Sequence, residues 1–446
     1  MSPHAWMLTA PIVPTLTRLA APNIIVMVIA LATATAEARY VGQHGTVALA
    51  GLALVFPMMM LTNMLSAGSI GGAVAGAVAQ RLGAGDVEGA ENLALHAVLV
   101  GIGMSICFSA LFLLGGTAIF SFLGGRDDVL AQAMTYSDIF FTGCVSLWLC
   151  NTLGSVIRAS GNMIVSALTL GLASAIQVIL GGVLILGVGS IPAMGIAGAA
   201  WATTIGFGVA ALVQLWYLTG HCKQMRLHFS GVRIEIQHFA SLLRVGMLAS
   251  VSPLSSVATV LIITGFVARI GPEVLAGYGI GARLEFLMIP VIFGIGAAAI
   301  TMVGTHFGAG EIDRAHNIAW IGAFGAALIT GLIGLVMALV PGIWADIFSD
   351  VEAVRETCRT YLRIVGPCYA FFGLGLCLYF ASQGARKVLW PAMASFLRLG
   401  ITALGGFVVV TYADPTPETF FAVIAIAMVS YGVVTAGAIK LGAWRT

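Results

Sequence analysis

Charge is what this chain has least of. Only 9% of its 446 residues are Asp, Glu, Lys or Arg, against 59% that are apolar. A soluble domain carries roughly 25% charged residues, so the composition excludes a water-exposed globular protein with an ordinary surface. Acidic and basic residues nearly balance, at 18 and 20, and no basic patch suits a phosphate backbone, so no nucleic-acid partner is expected. The seven cysteines show no CxxC spacing and fall mostly in apolar stretches. That pattern argues against a metal or disulfide framework and for small buried side chains. The eight histidines lie in loops or near helix ends without ligand spacing, and nothing supports an enzymatic role. The opening MSPHAWMLTAP has no basic head and no small-residue cleavage site, so no removable leader is expected there.

Long apolar runs are what it has instead. Mean hydropathy is +1.03, and the 56 glycines suit tightly packed membrane helices. A spanning helix needs about 20 mostly apolar residues. Such stretches occur at 16–41, 47–80, 88–122, 130–157, 161–187 and 194–219, then at 239–270, 274–307, 313–345, 356–380, 387–411 and 418–441. The longest polar stretch, HCKQMRLHFSGVRIEIQHF (221–239), separates the two sets. The expected organisation is an N-terminal six-helix lobe over 1–220, a cytoplasmic linker over 221–238 and a C-terminal six-helix lobe over 239–446.

The two sets are copies. RLGAGDVEGAEN (81–92) returns as HFGAGEIDRAHN (306–317), and TYSDI (135–139) returns as TYLRI (360–364), both offset by 225 residues. ALAG (48–51) returns as VLAG (274–277) at 226, and RASGN (158–162) faces ASQGA (381–385) at 223. A near-constant offset over more than a hundred residues means one structural unit used twice. With both termini in the cytoplasm, twelve Lys and Arg residues, Arg158 and Arg233 among them, fall on the cytoplasmic side and six on the other. An even number of helices per copy makes the repeats parallel. The fold class expected is all-α integral membrane, twelve transmembrane helices in two six-helix repeats around a central cleft.

The repeated GAG could suggest a phosphate loop, but no Lys-Ser/Thr follows and no soluble strand precedes it. A joint explains it better. A glycine of each GAG (Gly83 or Gly85, repeated as Gly308 or Gly310) ends one helix in a left-handed turn, and Asp86 and Glu311 cap the next. With this repeated elbow, the GIAGAAWAT run (195–203) and VGQHGTVALAG (41–51) after an acidic first helix, the chain resembles the multidrug and toxic compound extrusion (MATE) family. The resemblance covers nearly the whole chain. It implies a secondary antiporter in the cell inner membrane that exports small organic compounds against inward proton or sodium flow, acting as a monomer without a cofactor beyond the coupling ion.

Ionisable residues inside lipid are functional candidates by default. Glu37 closes the apolar run PNIIVMVIALATATAE (22–37), and Arg39 and Tyr40 follow. The resemblance implies that Glu37 binds the coupling cation, where relatives usually carry Asp. A carboxylate between apolar walls is costly while charged, and protonation removes that cost. The alternative is that Glu37 pairs with Arg39 or reaches the interface. Pro22 interrupts the same helix and is either a hinge, as the resemblance implies, or a proline tolerated in the first turns.

Matching the family's fifth-helix Asn-x-x-Leu-Asp onto QVILG (177–181) puts Gln177 in place of Asn and Gly181 in place of Asp; Thr203 matches a hydroxyl near the cation-binding carboxylate. Carboxylates that sodium-coupled relatives carry are missing from SPLSSVATV (252–260) and CYAFFGLGLCLYF (368–380). Hard cations need several oxygen ligands, so protons are favoured over sodium. In GARLEFLMIP (281–290), Arg283 and Glu285 lie two apart and so on different helix faces. They, with Tyr40 and Asn63, are the candidates for the substrate cleft. Glu285 is either a second titrating or substrate-contacting carboxylate or a structural partner of Arg283 or Arg398. A lipid-linked oligosaccharide flippase of the same superfamily is the alternative function.

Overall fold

In this computed structural model the residues described are 5–228, 234–412 and 416–445. Arg233, one of the expected cytoplasmic charges, lies outside them. Lipid offers the backbone no water to bond with, so apolar stretches of this length satisfy their N–H and C=O groups as helices. Among the described residues, eleven helices are long and apolar enough to cross a membrane, or twelve with one bent pair taken as a span. No strand occurs there beyond an isolated bridge between Val188 and Ile191. The chain is a multi-pass, all-α membrane protein.

The first half contains α1 (Ile12–Gly42), α2 (Thr46–Gly83), α3 (Val87–Phe122), the pair α4 (Asp127–Thr142) and α5 (Cys144–Ala159), α6 (Met163–Leu186) and α7 (Ile196–His221). The second contains α8 (Ile236–Val267), α9 (Pro272–Gly308), α10 (Ile312–Leu339), α11 (Glu352–Gly384), α12 (Leu389–Tyr412) and α13 (Pro417–Lys440).

Two expected spans are interrupted. The stretch 130–157 bends by 50° at Gly143, between α4 and α5. A side chain at Gly143 would run into Thr204 of α7, so only glycine allows the approach. The stretch 313–345 stops at Leu339, and a short helix, Gly342–Phe348, follows Pro341. Proline lacks the N–H that would continue the ladder. A further irregularity, a π-helical stretch over Met64–Ile70, lies inside α2.

The chain divides into two compact units: Met1–Thr9 with Ala21–Gly246, and Ala10–Ala20 with Met247–Thr446. The first turns of α1 therefore belong to the second unit. There Arg314 donates to the Ala10 carbonyl at 2.7 Å, and Leu16 packs against Gly322 of α10. Pro22 stands just past the point where α1 changes unit.

The repeat is visible in backbone detail. Gly85 and Gly310 adopt φ of 79° and 81°, and the N–H groups of Asp86 and Glu311 bond back to Arg81 and His306 at 2.9 Å each. The capping differs. Asp86 accepts from the Gly89 N–H at 2.9 Å and pairs with Arg81 at 2.7 Å. The Gly89 N–H first, then Arg81, holds its carboxyl below the ordinary range. Glu311, one methylene longer, makes no capping hydrogen bond and instead lies 3.8 Å from His306. The expectation that it caps α10 with its side chain is corrected.

A second correction concerns register. The turn after α5 has Gly161 at φ 84°, and the turn after α11 has Arg386 at φ 58°, so these positions are equivalent and the offset is 225 there too. Arginine holds a conformation that costs an L-residue about 1 kcal/mol. Arg158, in the last turn of α5, is 5% exposed and donates to Ser155 and Ser166 at 2.7 and 3.0 Å, so this helix-end cation is buried.

Candidate functional site

In the first unit, three helices converge on one carboxylate. Glu37 of α1 accepts a hydrogen bond from the Tyr136 hydroxyl of α4 at 3.0 Å. Tyr136 is fully buried, and α4 is fixed by packing against α2 and α7. Thr203 of α7, 4% exposed, stands beside the Tyr136 hydroxyl. Glu37 forms no ion pair with Arg39 among the described residues, so its polar partner is a neutral phenol. A phenol can donate to a carboxylate and accept from a carboxylic acid. The pair can therefore keep its hydrogen bond whether or not Glu37 carries a proton.

The other first-unit candidates are placed elsewhere. The Tyr40 ring lies against Gly182 of α6. Gln177 lies against Gly206 of α7, one turn from Thr203, and makes no hydrogen bond to Glu37 among the described residues. Asn63 is exposed at the start of the π-helical stretch. Its side-chain oxygen accepts from Asn151 at 3.0 Å, and the same Asn151 amide donates to Ser66 at 2.7 Å. Asn63 thus belongs to a polar link between α2 and α5, separate from Glu37.

The second unit holds a counterpart. Glu285 of α9 accepts a hydrogen bond from the Tyr361 hydroxyl of α11. Gly281, one turn before Glu285, leaves the groove in which the Tyr361 ring lies. Tyr278 and Phe421 pack on that ring at 5.7 and 5.1 Å between centroids. Arg283, on a different face, is exposed, with its guanidinium 5.8 Å from the Phe348 ring centre. Among the described residues, Glu285 makes no ion pair with Arg283 or Arg398.

Sequence reasoning missed Tyr136 and Tyr361 as the hydrogen-bond partners of the two acids. The signal was present: both are the second residue of the repeated TY pair at the 225-residue offset, and a hydroxyl repeated within a membrane span needs a partner.

Comparison with known proteins agrees with this architecture. The MatE family model matches residues 22–183 and 249–408. This chain belongs to the MatE family. Among relatives, the MatE chain is 26% identical over 418 residues to a protein of Shewanella oneidensis named FAD transporter, covering 92% of this chain and 91% of that one. It is 24% identical to the probable multidrug resistance protein NorM of Thermotoga maritima, covering 89% and 85%. Its fold matches the outward-facing structure of a multidrug resistance MATE family transporter of the MOP superfamily, with a TM-score of 0.89 at 21% identity over 98% of both chains. Proteins of the MatE family are transporters, and several relatives of this one are named as probable multidrug resistance proteins.

Proposed function

We propose that this MatE protein is an antiporter that expels small organic compounds from the cell in exchange for inward-moving protons. The observation that carries the reading is the Glu37–Tyr136 pair, a carboxylate inside a membrane span bonded to a neutral hydroxyl and to no cation. A proton taken up by Glu37 removes the cost of holding a charge in lipid. Each proton crossing the membrane contributes about 2.3 kcal/mol per 100 mV, or about fifty-fold in accumulation.

Sodium would need several hard oxygen ligands. Glu37 is bonded to the Tyr136 hydroxyl, beside which stands that of Thr203, while Gly181 takes the place of the family's acid. Pro22 is the hinge of the cycle in this reading, since it breaks the α1 ladder where that helix changes unit. The protein works as a monomer in the plasma membrane with both termini cytoplasmic, and needs no cofactor beyond the coupling ion. A relative named for transporting FAD extends the proposed substrate range to organic anions. Efflux from proteoliposomes under an imposed proton or sodium gradient tests the proposal: protons alone should drive it, and sodium alone driving it would overturn it.

Arg398 favours a second reading, a lipid-linked oligosaccharide flippase, because a deep cation suits a phosphate. Scrambling of labelled lipid-linked sugar in vesicles, without organic-compound efflux, would establish that alternative.

A further inference from the structure

Arg398 lies nine residues after the start of α12 and fourteen before its end. At 1.5 Å per residue that is near the middle of the span. The side chain is 9% exposed. Its guanidinium stands 5.4 Å from the ring centre of Phe372 and 6.0 Å from that of Tyr431. Ring faces attract a cation but accept nothing in the plane of the guanidinium, where its five N–H donors point. Among the described residues no carboxylate pairs with Arg398 and no acceptor takes a hydrogen bond from it. Arg158 in the first unit shows the contrast, since two serine hydroxyls take up its donors.

The surroundings add a spare donor. Ser395 donates to Ser252 at 3.0 Å. The Tyr431 hydroxyl is buried within reach of Ser252 and Ser395, and among the described residues it has no partner in strict hydrogen-bond geometry. An intramembrane arginine without an acceptor is a site waiting for one. A planar fork of donors between aromatic rings fits a carboxylate or phosphate attached to an aromatic body.

We infer that Arg398 is an anion-binding residue of the second unit, taking the oxyanion of an aromatic organic compound beside Phe372 and Tyr431. This inference rests on the transport reading only in treating that compound as cargo. Glu285 stands in the field of Arg398 without touching it, so whenever it is ionised it competes with a bound anion.

The test is equilibrium binding to the purified full-length protein in detergent, with no gradient, so its result is independent of whether protons drive efflux. Fluorescein, an aromatic anion, should bind at least about tenfold more tightly than its uncharged fluoran parent, a difference of about 1.4 kcal/mol. Equal affinity of the two for the unaltered protein would overturn the inference without any variant. Arg398→Gln should erase the preference, and Arg398→Lys should keep part of it, as a point charge without the fork. Glu285→Gln should strengthen fluorescein binding. A loss there as large as that of Arg398→Gln would move the ligand to the carboxylate and also overturn the assignment.

Discussion

Tyr136 and Tyr361 occupy equivalent positions of the two repeats, and each donates to a carboxylate, yet the acids are not equivalent. Glu37 comes from the first helix of its unit and Glu285 from the second helix of the other. The duplication has therefore kept the buried hydroxyl and moved the acid. The surroundings differ with it. Both acids accept from a tyrosine hydroxyl, but Glu285 also stands in the field of Arg398, whereas Glu37 has no such cation near it among the described residues. The division of labour we propose gives the coupling proton to the first acid, while the second shapes the ligand site of its own unit.

The comparison breaks most sharply at the acids. Glu37→Gln should abolish the proton's contribution to efflux, about fifty-fold in accumulation per 100 mV, measured as substrate retained in energised vesicles. Next come the hydroxyls. Tyr136→Phe removes a hydrogen bond to a charged partner and should slow proton-driven efflux by about tenfold. Tyr361→Phe should leave proton coupling in place. Equal effects of the two would erase the distinction between the units.

The elbows sharpen the comparison at lower energy. Asp86→Ala should destabilise the protein by about 1 kcal/mol through loss of its cap, read from thermal unfolding in detergent, while Glu311→Ala should cost less because Glu311 caps nothing. The sign of the pH effect follows. The Asp86 carboxyl is held below its unfolded value, so its small contribution is present at neutral pH and fades as pH falls below about 4. Asp86→Asn should flatten that part of the stability profile.

Much of the fold was legible because the bilayer imposes it. Twelve apolar runs, with the bent pair taken as one, became helices within a few residues of where the pattern put them. The breaks were not legible in the same way. Gly143 bends the fourth span because Thr204 of α7 crosses there, and that neighbour lies far away in the chain. Pro341 was a visible stop signal, but hydropathy carried straight across it. At the site, Glu37 and Glu285 stood out as acids in apolar runs. Their tyrosine partners, 99 and 76 residues distant, could be chosen only by tertiary packing. Pairing by charge suggested Arg39, Arg283 and Arg398 instead, and a phenol proved the nearer partner in both units.

The central claim, that the first unit's acid and not the second's carries the coupling proton, is tested most directly by one paired assay. Glu37→Gln and Glu285→Gln are reconstituted in parallel, and efflux is followed under the same imposed proton gradient. The account predicts that Glu37→Gln loses gradient-driven efflux while Glu285→Gln retains it. Gradient-driven efflux surviving in Glu37→Gln, or vanishing only in Glu285→Gln, would contradict it.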